Sequence, residues 1–115
     1  MMKHTVKINR NGQFRRLYRV GKSYVTPYFA VYIKKNRGKI NRLGITATKK
    51  IGNAVKRNRA RRVITEAYRL LEPELPRGMD IIIVARQKAV FVKMPVIKSS
   101  LERLFASLED TGKKK

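Results

Sequence analysis

The residues with the most chemical consequence lie in Thr48-Lys49-Lys50-Ile51-Gly52-Asn53-Ala54-Val55-Lys56-Arg57-Asn58-Arg59-Ala60-Arg61-Arg62. Seven of them are cations: Lys49, Lys50, Lys56, Arg57, Arg59, Arg61 and Arg62. The segment runs from the end of an alternating stretch into the start of a helical one. A helix N-terminus is the positive end of the macrodipole, so each cation there costs about a few tenths of a kcal/mol. No acid lies near in sequence to offset this, and such a local conflict is expected at a functional site. A phosphate backbone reverses the sign, because free N–H groups, the dipole and guanidinium forks all favour an anion. Arginine over lysine within the helix suits bidentate phosphate contacts.

Hydrolytic chemistry by the chain itself has few candidates. It needs a general base or a carboxylate cluster for metals. His4 is the only histidine, sits near the start and reads as incidental. Asp80 precedes an apolar run and reads as a turn or cap residue. Glu66 stands four residues after Arg62 and three before Arg69, the spacing of helical ion pairs. The absence of cysteine excludes disulfides and thiolate metal sites. Any chemistry is therefore expected from a partner.

The 115 residues hold 29 Lys and Arg against 7 Asp and Glu, a net charge of +22. The first acid is Glu66, so residues 1–65 carry only positive charge. A field this dense favours a polyanion, meaning nucleic acid or an anionic membrane surface. Hydrophobic residues at 43% argue against a disordered basic tail. No run of about 20 apolar residues exists to span a membrane. The opening Met1-Met2-Lys3-His4-Thr5-Val6-Lys7 lacks the apolar region of a signal peptide. The expectation is one cytoplasmic, polyanion-binding domain over 1–115, with flexible termini at about residues 1–10 and 110–115.

Periodicity supplies the elements that must position these residues. A short helix starts at Asn11-Gly12-Gln13-Phe14, with Asn11 as N-cap, and ends at Gly21; Phe14, Leu17 and Tyr18 share one face. Tyr28 to Lys34 alternates, with Phe29, Val31 and Ile33 opposite Tyr28, Ala30, Tyr32 and Lys34. Leu43 to Thr48 alternates too. Around the turn Asn36-Arg37-Gly38-Lys39 the two stretches read as an antiparallel pair. A minor strand is possible near Lys22–Val25. The main helix spans Ala54 to about Leu71, with Ala60, Val63, Ile64, Ala67 and Leu71 as its buried stripe. Asn58, Arg61, Arg62, Thr65 and Arg69 lie opposite, and Pro73 stops it. Ile81-Ile82-Ile83-Val84-Ala85 suits a buried central strand. Ile97, Leu101, Leu104, Phe105 and Leu108 mark a last helix, with Pro95 in its first turn. The order helix, strand, strand, helix, strand, helix gives a two-layer α/β sandwich, a small mixed sheet covered by helices.

Lys49 to Arg62, followed by Glu66-Ala67-Tyr68-Arg69, resembles the signature of the bacterial ribonuclease P protein subunit. Arg57-Asn58-Arg59 matches the motif by which that family is known. The resemblance extends to Gln13-Phe14 through Gly21-Lys22-Ser23, Phe29-Ala30-Val31-Tyr32, Leu43-Gly44-Ile45 and Gly78-Met79-Asp80-Ile81-Ile82-Ile83-Val84-Ala85-Arg86, most of residues 13–108 in order. It implies a subunit that binds a large catalytic RNA and promotes removal of the 5′ leader of precursor tRNA. The RNA, with Mg²⁺, performs the hydrolysis, and the protein has no dedicated metal site. It also implies a left-handed β-α-β crossover, against the usual right-handed rule.

By the resemblance, Arg57, Asn58, Arg59, Arg61, Arg62 and Arg69 contact the catalytic RNA. Phe14, Tyr18 and Tyr32 line a cleft for the leader, with Thr48, Lys49, Lys50, Lys56 and Arg57 near its rim; Arg86 and Lys88 add backbone contacts. The cleft has its own logic in the residues, since unpaired nucleotides are held by aromatic stacking beside a cationic groove. Tyr28 and Tyr32 share a strand face, which Thr46 and Thr48 extend on the neighbouring strand. Lys56 projects towards this groove from the line of the buried stripe. The competing reading of Phe14, Leu17 and Tyr18 is plain core. Two positions depart from the family pattern: Thr65 stands where many relatives carry arginine, and Thr48 where serine is common. The alternative function is a basic ribosomal or RNA-chaperone protein, which composition alone does not separate.

Overall fold

The computed structural model of the chain describes residues 4–8, 11–36 and 38–113. In chain order its elements are β1 (Thr5–Lys7), α1 (Asn11–Val20), β2 (Lys22–Val25), β3 (Phe29–Lys35), β4 (Asn41–Thr46), α2 (Ala54–Leu71), β5 (Met79–Ala85) and α3 (Met94–Lys113). Short 3-10 turns occupy Lys49–Ile51, Glu72–Glu74 and Gln87–Phe91. The expected α/β sandwich is what forms: a five-stranded mixed sheet with helices on both faces.

The apolar run 81–85 explains the sheet. Apolar on both faces, it is most stable in the centre, and the strand order is β1-β4-β5-β3-β2. Strand β5 runs parallel to β4 and antiparallel to β3. On one face Ile81 and Ile83 join Phe29, Val31, Ile33 and Leu43 in the main core beneath α2 and α3. On the other, Ile82 packs with Leu17 of α1 and Ile8. The expected α2 stripe is buried in full, and Tyr68 joins it with its ring 6.4 Å from that of Phe105.

The expected pairing of β3 with β4 does not occur. They run in opposite directions, but β5 lies between them. Their connection must span about 10 Å, two strand spacings, which residues 36–40 can reach. It passes tightly over the entry to β5. The Asn36 backbone N–H donates to the Gly78 carbonyl at 2.8 Å, and Asn36 Nδ2 donates to Asp80 Oδ1 at 2.9 Å. A Cβ on Gly78, whose φ is +82°, would stand 2.4 Å from the Gly38 carbonyl oxygen. Gly78 is therefore required twice, for its backbone angle and for this approach. Arg37, part of the expected turn, lies outside the described residues.

Two elements differ from expectation near the start. Strand β1 falls within the terminus expected to be flexible, and it pairs parallel with β4. The His4 backbone N–H donates to Glu72 Oε2 at 2.8 Å, and His4 Nε2 lies 3.0 Å from the Glu72 carbonyl oxygen. Thr5 Oγ1 meets the Tyr68 hydroxyl at 3.1 Å. Three residues carry too little pattern to announce a strand; distant partners make this one. Helix α1 begins at Asn11 itself rather than after it, and at the other end α3 runs to Lys113.

Candidate nucleic-acid interface

The rings expected in the groove are together. Phe14 and Tyr18 lie one turn apart on α1, their centroids 6.5 Å apart, and Tyr18 meets Tyr32 of β3 edge to face at 4.9 Å. Leu17, only 3% exposed, anchors α1 to Ile82, whereas Tyr18 remains 41% exposed. The plain-core reading therefore holds for Leu17 and not for Tyr18. Phe14 is half-buried over Gly44, where an added Cβ would stand 2.6 Å from its ring. Partial burial pushes the Tyr18 phenol up, against the opposing pull of its hydrogen bond with Thr46.

Beside these rings α1 leaves part of the sheet uncovered. Thr46, Val84, Ala30 and Val25 are consecutive register partners across four strands, on the face that carries Tyr32. None of the four is buried, and Val25 is 66% exposed. This row is a largely apolar, open floor beside the rings. Sequence reasoning missed Val84, because a continuous apolar run assigns no face, and Val25, whose four-residue strand carries too little pattern to assign one. It missed Gly44 as well, although a glycine inside a strand signals a close approach.

Tyr28 does not share the groove. Strand β3 starts one residue later, at Phe29. The backbone N–H groups of Tyr28 and Phe29 both donate to Thr26 Oγ1, at 3.2 and 3.1 Å. That turn breaks the alternation, and Tyr28 packs on the main core. Thr48 likewise lies beyond the end of β4, exposed at the start of the turn Lys49–Ile51.

Parallel strands β4 and β5 deliver their following residues to the same end of the sheet. Lys49 and Lys50 follow β4; Arg86 and Lys88 follow β5; all four are exposed. Gln87 Nε2 ties the two stretches together by donating to the Lys50 carbonyl at 3.0 Å, and Arg86 Nη1 donates to the Thr26 carbonyl at 3.2 Å. Helix α2 starts here, capped by Asn53 Oδ1, which accepts the Lys56 backbone N–H at 3.0 Å. The Lys56 stem lies over Gly52, where a Cβ would meet Lys56 Cδ at 2.9 Å.

The arginines of α2 divide by environment. Arg59 Nε donates to the Val90 carbonyl at 3.2 Å, and Arg61 Nη2 donates to Asn58 Oδ1 at 2.7 Å. Arg69 is held in a fork by Glu66, whose carboxyl stays below the usual carboxylate range because of those hydrogen bonds. Glu66 thus takes the later of its two possible partners, and Arg69 has the least charge to offer. The α2 face opposite the buried stripe is not open throughout. Asn58, Arg61, Arg62, Thr65 and Glu66 line one wall of a cleft of about 610 Å³, with Phe14, Ile8 and Gly44 on the other side. It opens where β1 ends and leaves the edge of β4 uncovered. The arginine face and the aromatic groove therefore adjoin around that edge.

The remaining carboxylates in this region serve structure. Asp80 accepts from Asn36 and pairs with Arg42 Nε at 3.4 Å; Glu72 is buried beneath His4. Among the described residues no three His, Cys, Asp or Glu are grouped to hold a metal, and no helix is long and apolar enough to cross a membrane.

Comparison with known proteins points to one family. The family model for ribonuclease P matches residues 2–109. The ribonuclease P protein component of Natranaerobius thermophilus is 43% identical over 88 residues, 76% of each chain. That of Clostridium botulinum (strain Loch Maree) is 43% identical over 99 residues, covering 85% of this chain and 89% of its own length. The solved RNase P protein of Staphylococcus aureus superposes with a TM-score of 0.77 at 36% identity, covering 90% of this chain and 94% of that one. The protein from Thermotoga maritima gives 0.78 at 29% identity, covering 86% and 94%. With the family model spanning nearly the whole chain, the chain belongs to the ribonuclease P protein family, the protein component of a tRNA-processing ribonuclease.

Proposed function

We propose that the chain binds the catalytic RNA of ribonuclease P through α2 and holds the 5′ leader of precursor tRNA on the open face of the sheet. The RNA then carries out the cleavage with Mg²⁺. The observation that carries this reading is the aromatic series Phe14, Tyr18 and Tyr32 beside the uncovered row of Thr46, Val84, Ala30 and Val25, with Lys49, Lys50, Arg86 and Lys88 at one end. Rings and small apolar residues accept bases of any sequence, and the cations accept the phosphates between them. Lys56, Arg57 and Thr48 stand at the same end as secondary contacts. Arg57, Asn58, Arg59, Arg61 and Arg62 present the phosphate-binding face to the catalytic RNA, with Arg69 a weaker contact because Glu66 neutralises it.

Catalysis by the RNA fits a chain in which Asp80, Glu66 and Glu72 are held by Arg42, Arg69 and the His4 backbone. Any Mg²⁺ is then held by RNA and substrate phosphates rather than by a dedicated protein site. The reading places the protein in the cytoplasm, with its substrate. The ribosomal or RNA-chaperone alternative is not favoured, because the family match is specific and spans the chain.

Reconstitution tests the reading. Purified protein freed of RNA should leave precursor tRNA intact with Mg²⁺. A ribonuclease P catalytic RNA at low Mg²⁺ should remove the leader only when the protein is added. Specific leader removal by protein that has been treated with nuclease would contradict the assignment of catalysis to the RNA.

A further inference from the structure

The most exposed aromatic side chain among the described residues belongs to neither surface above. Phe91, at the end of the turn Gln87–Phe91, is 76% exposed, and so is Val55 in the first turn of α2. The backbone beneath Phe91 is fixed. Ala89 and Val90 are buried in the main core, and the Val90 carbonyl accepts Arg59 Nε at 3.2 Å. The ring is therefore held out by its rigid neighbours and is not on a loose tip. Because Ala89 and Val90 belong to the core under α2 and α3, Phe91 lies with Arg59 on the α2 and α3 side of the sheet. The groove of Tyr18 and Tyr32 is on the other side.

The surroundings limit what can cover it. From residue 81 to 101 every ionisable side chain is Lys or Arg, and the same holds from 43 to 65. Among the described residues no carboxylate pairs with Arg59. A second copy of the chain would bring the same cations to the contact and be repelled. An unpaired nucleotide satisfies both requirements, with a π face for the ring and a phosphate for Arg59.

We propose that Phe91 is a stacking platform for an unpaired base of the catalytic RNA, extending the α2 interface beyond its arginines. This rests on the functional reading above, and the experiment separates the two. Affinity for the catalytic RNA is measured without precursor tRNA, for the wild-type chain and for Phe91→Ala, Phe91→Leu and Phe91→Tyr. Loss of one stacked base should weaken Phe91→Ala about 5- to 150-fold. Phe91→Leu should weaken binding as well, since it keeps bulk without a π face, and Phe91→Tyr should keep wild-type affinity. Thermal melting should be unchanged, because the ring is exposed. The salt dependence should also be unchanged, since no cation is removed.

The proposal is overturned if Phe91→Ala or Phe91→Leu binds as the wild type does. It is equally overturned if the loss shows only with leader-bearing substrate, or if the RNA-free wild-type chain self-associates and Phe91→Ala does not. A wild-type chain that fails to bind the catalytic RNA at all removes the reading beneath it. A wild-type chain that binds, with variants equal to it, removes this proposal alone.

Discussion

Phe14, Tyr18 and Tyr32 come from two elements, and the face each occupies was legible in the sequence, whereas their meeting in one cleft was implied by the family resemblance. The i, i+4 spacing puts two on one helical face, and alternation puts the third opposite the core-facing residues of its strand. Gly44 was not legible, because its importance lies in what rests on it. An alanine there places Cβ 2.6 Å from the Phe14 ring, which is free to swing away on its exposed side. Gly44→Ala should therefore cost only about 1–2 kcal/mol of stability, while dislodging Phe14 from the groove. Thermal melting and affinity for leader-bearing precursor tRNA check the two halves. Unchanged affinity with a shifted melt would remove Phe14 from the leader site. Tyr28 shows the opposite failure: its place in an alternating run was clear, but Thr26 and Pro27 bend the chain before the strand begins.

Elements with local pattern were legible, and pairings between distant ones were not. The bounds of α2 and the centrality of β5 follow from a stripe and an apolar run. The placement of β5 between β3 and β4 depends on burying both faces of β5, a property of the assembled sheet. Strand β1 depends wholly on remote partners, among them the hydroxyl of Tyr68. Burial raises that phenol above its ordinary range, against opposing hydrogen bonds from Thr5 and Asn41. Below about pH 10 folded and unfolded chains both keep the proton, so its contribution does not vary with pH. Above that the unfolded chain releases it first, so stability falls as pH rises. Tyr68→Phe should cost about 1 kcal/mol at neutral pH through the lost hydroxyl contacts. Its deficit against the wild type should shrink as pH rises past about 10, as the wild type alone pays for the raised phenol. Urea midpoints on either side of that pH measure it, and a constant deficit would contradict the role given to Tyr68.

At the scale of the whole molecule, charge was the most legible property and its distribution over surfaces the least. The count of +22 pointed to a polyanion at once. That the arginine face and the aromatic groove meet around the open edge of β4 required the fold. Assembly with the catalytic RNA should weaken steeply with salt, by about 0.7–0.9 log units per log unit of salt for each phosphate contacted. Arg61→Ala combined with Arg62→Ala should lower that slope by about 1.5 and leave melting nearly unchanged. An unaltered slope would exclude both from phosphate contact.

The central claim is that the sheet face holds the leader while α2 holds the RNA, and substrate affinity tests it most directly. Reconstituted enzyme is titrated with precursor tRNA carrying a leader of several nucleotides, and with mature tRNA, for the wild-type chain and for Tyr18→Ala. The wild-type enzyme should prefer the leader-bearing form. Tyr18→Ala should lose about 5- to 150-fold on that form alone, with mature tRNA affinity and assembly unchanged. A folded Tyr18→Ala chain that binds both forms as the wild type does, or weakens both equally, would contradict the account.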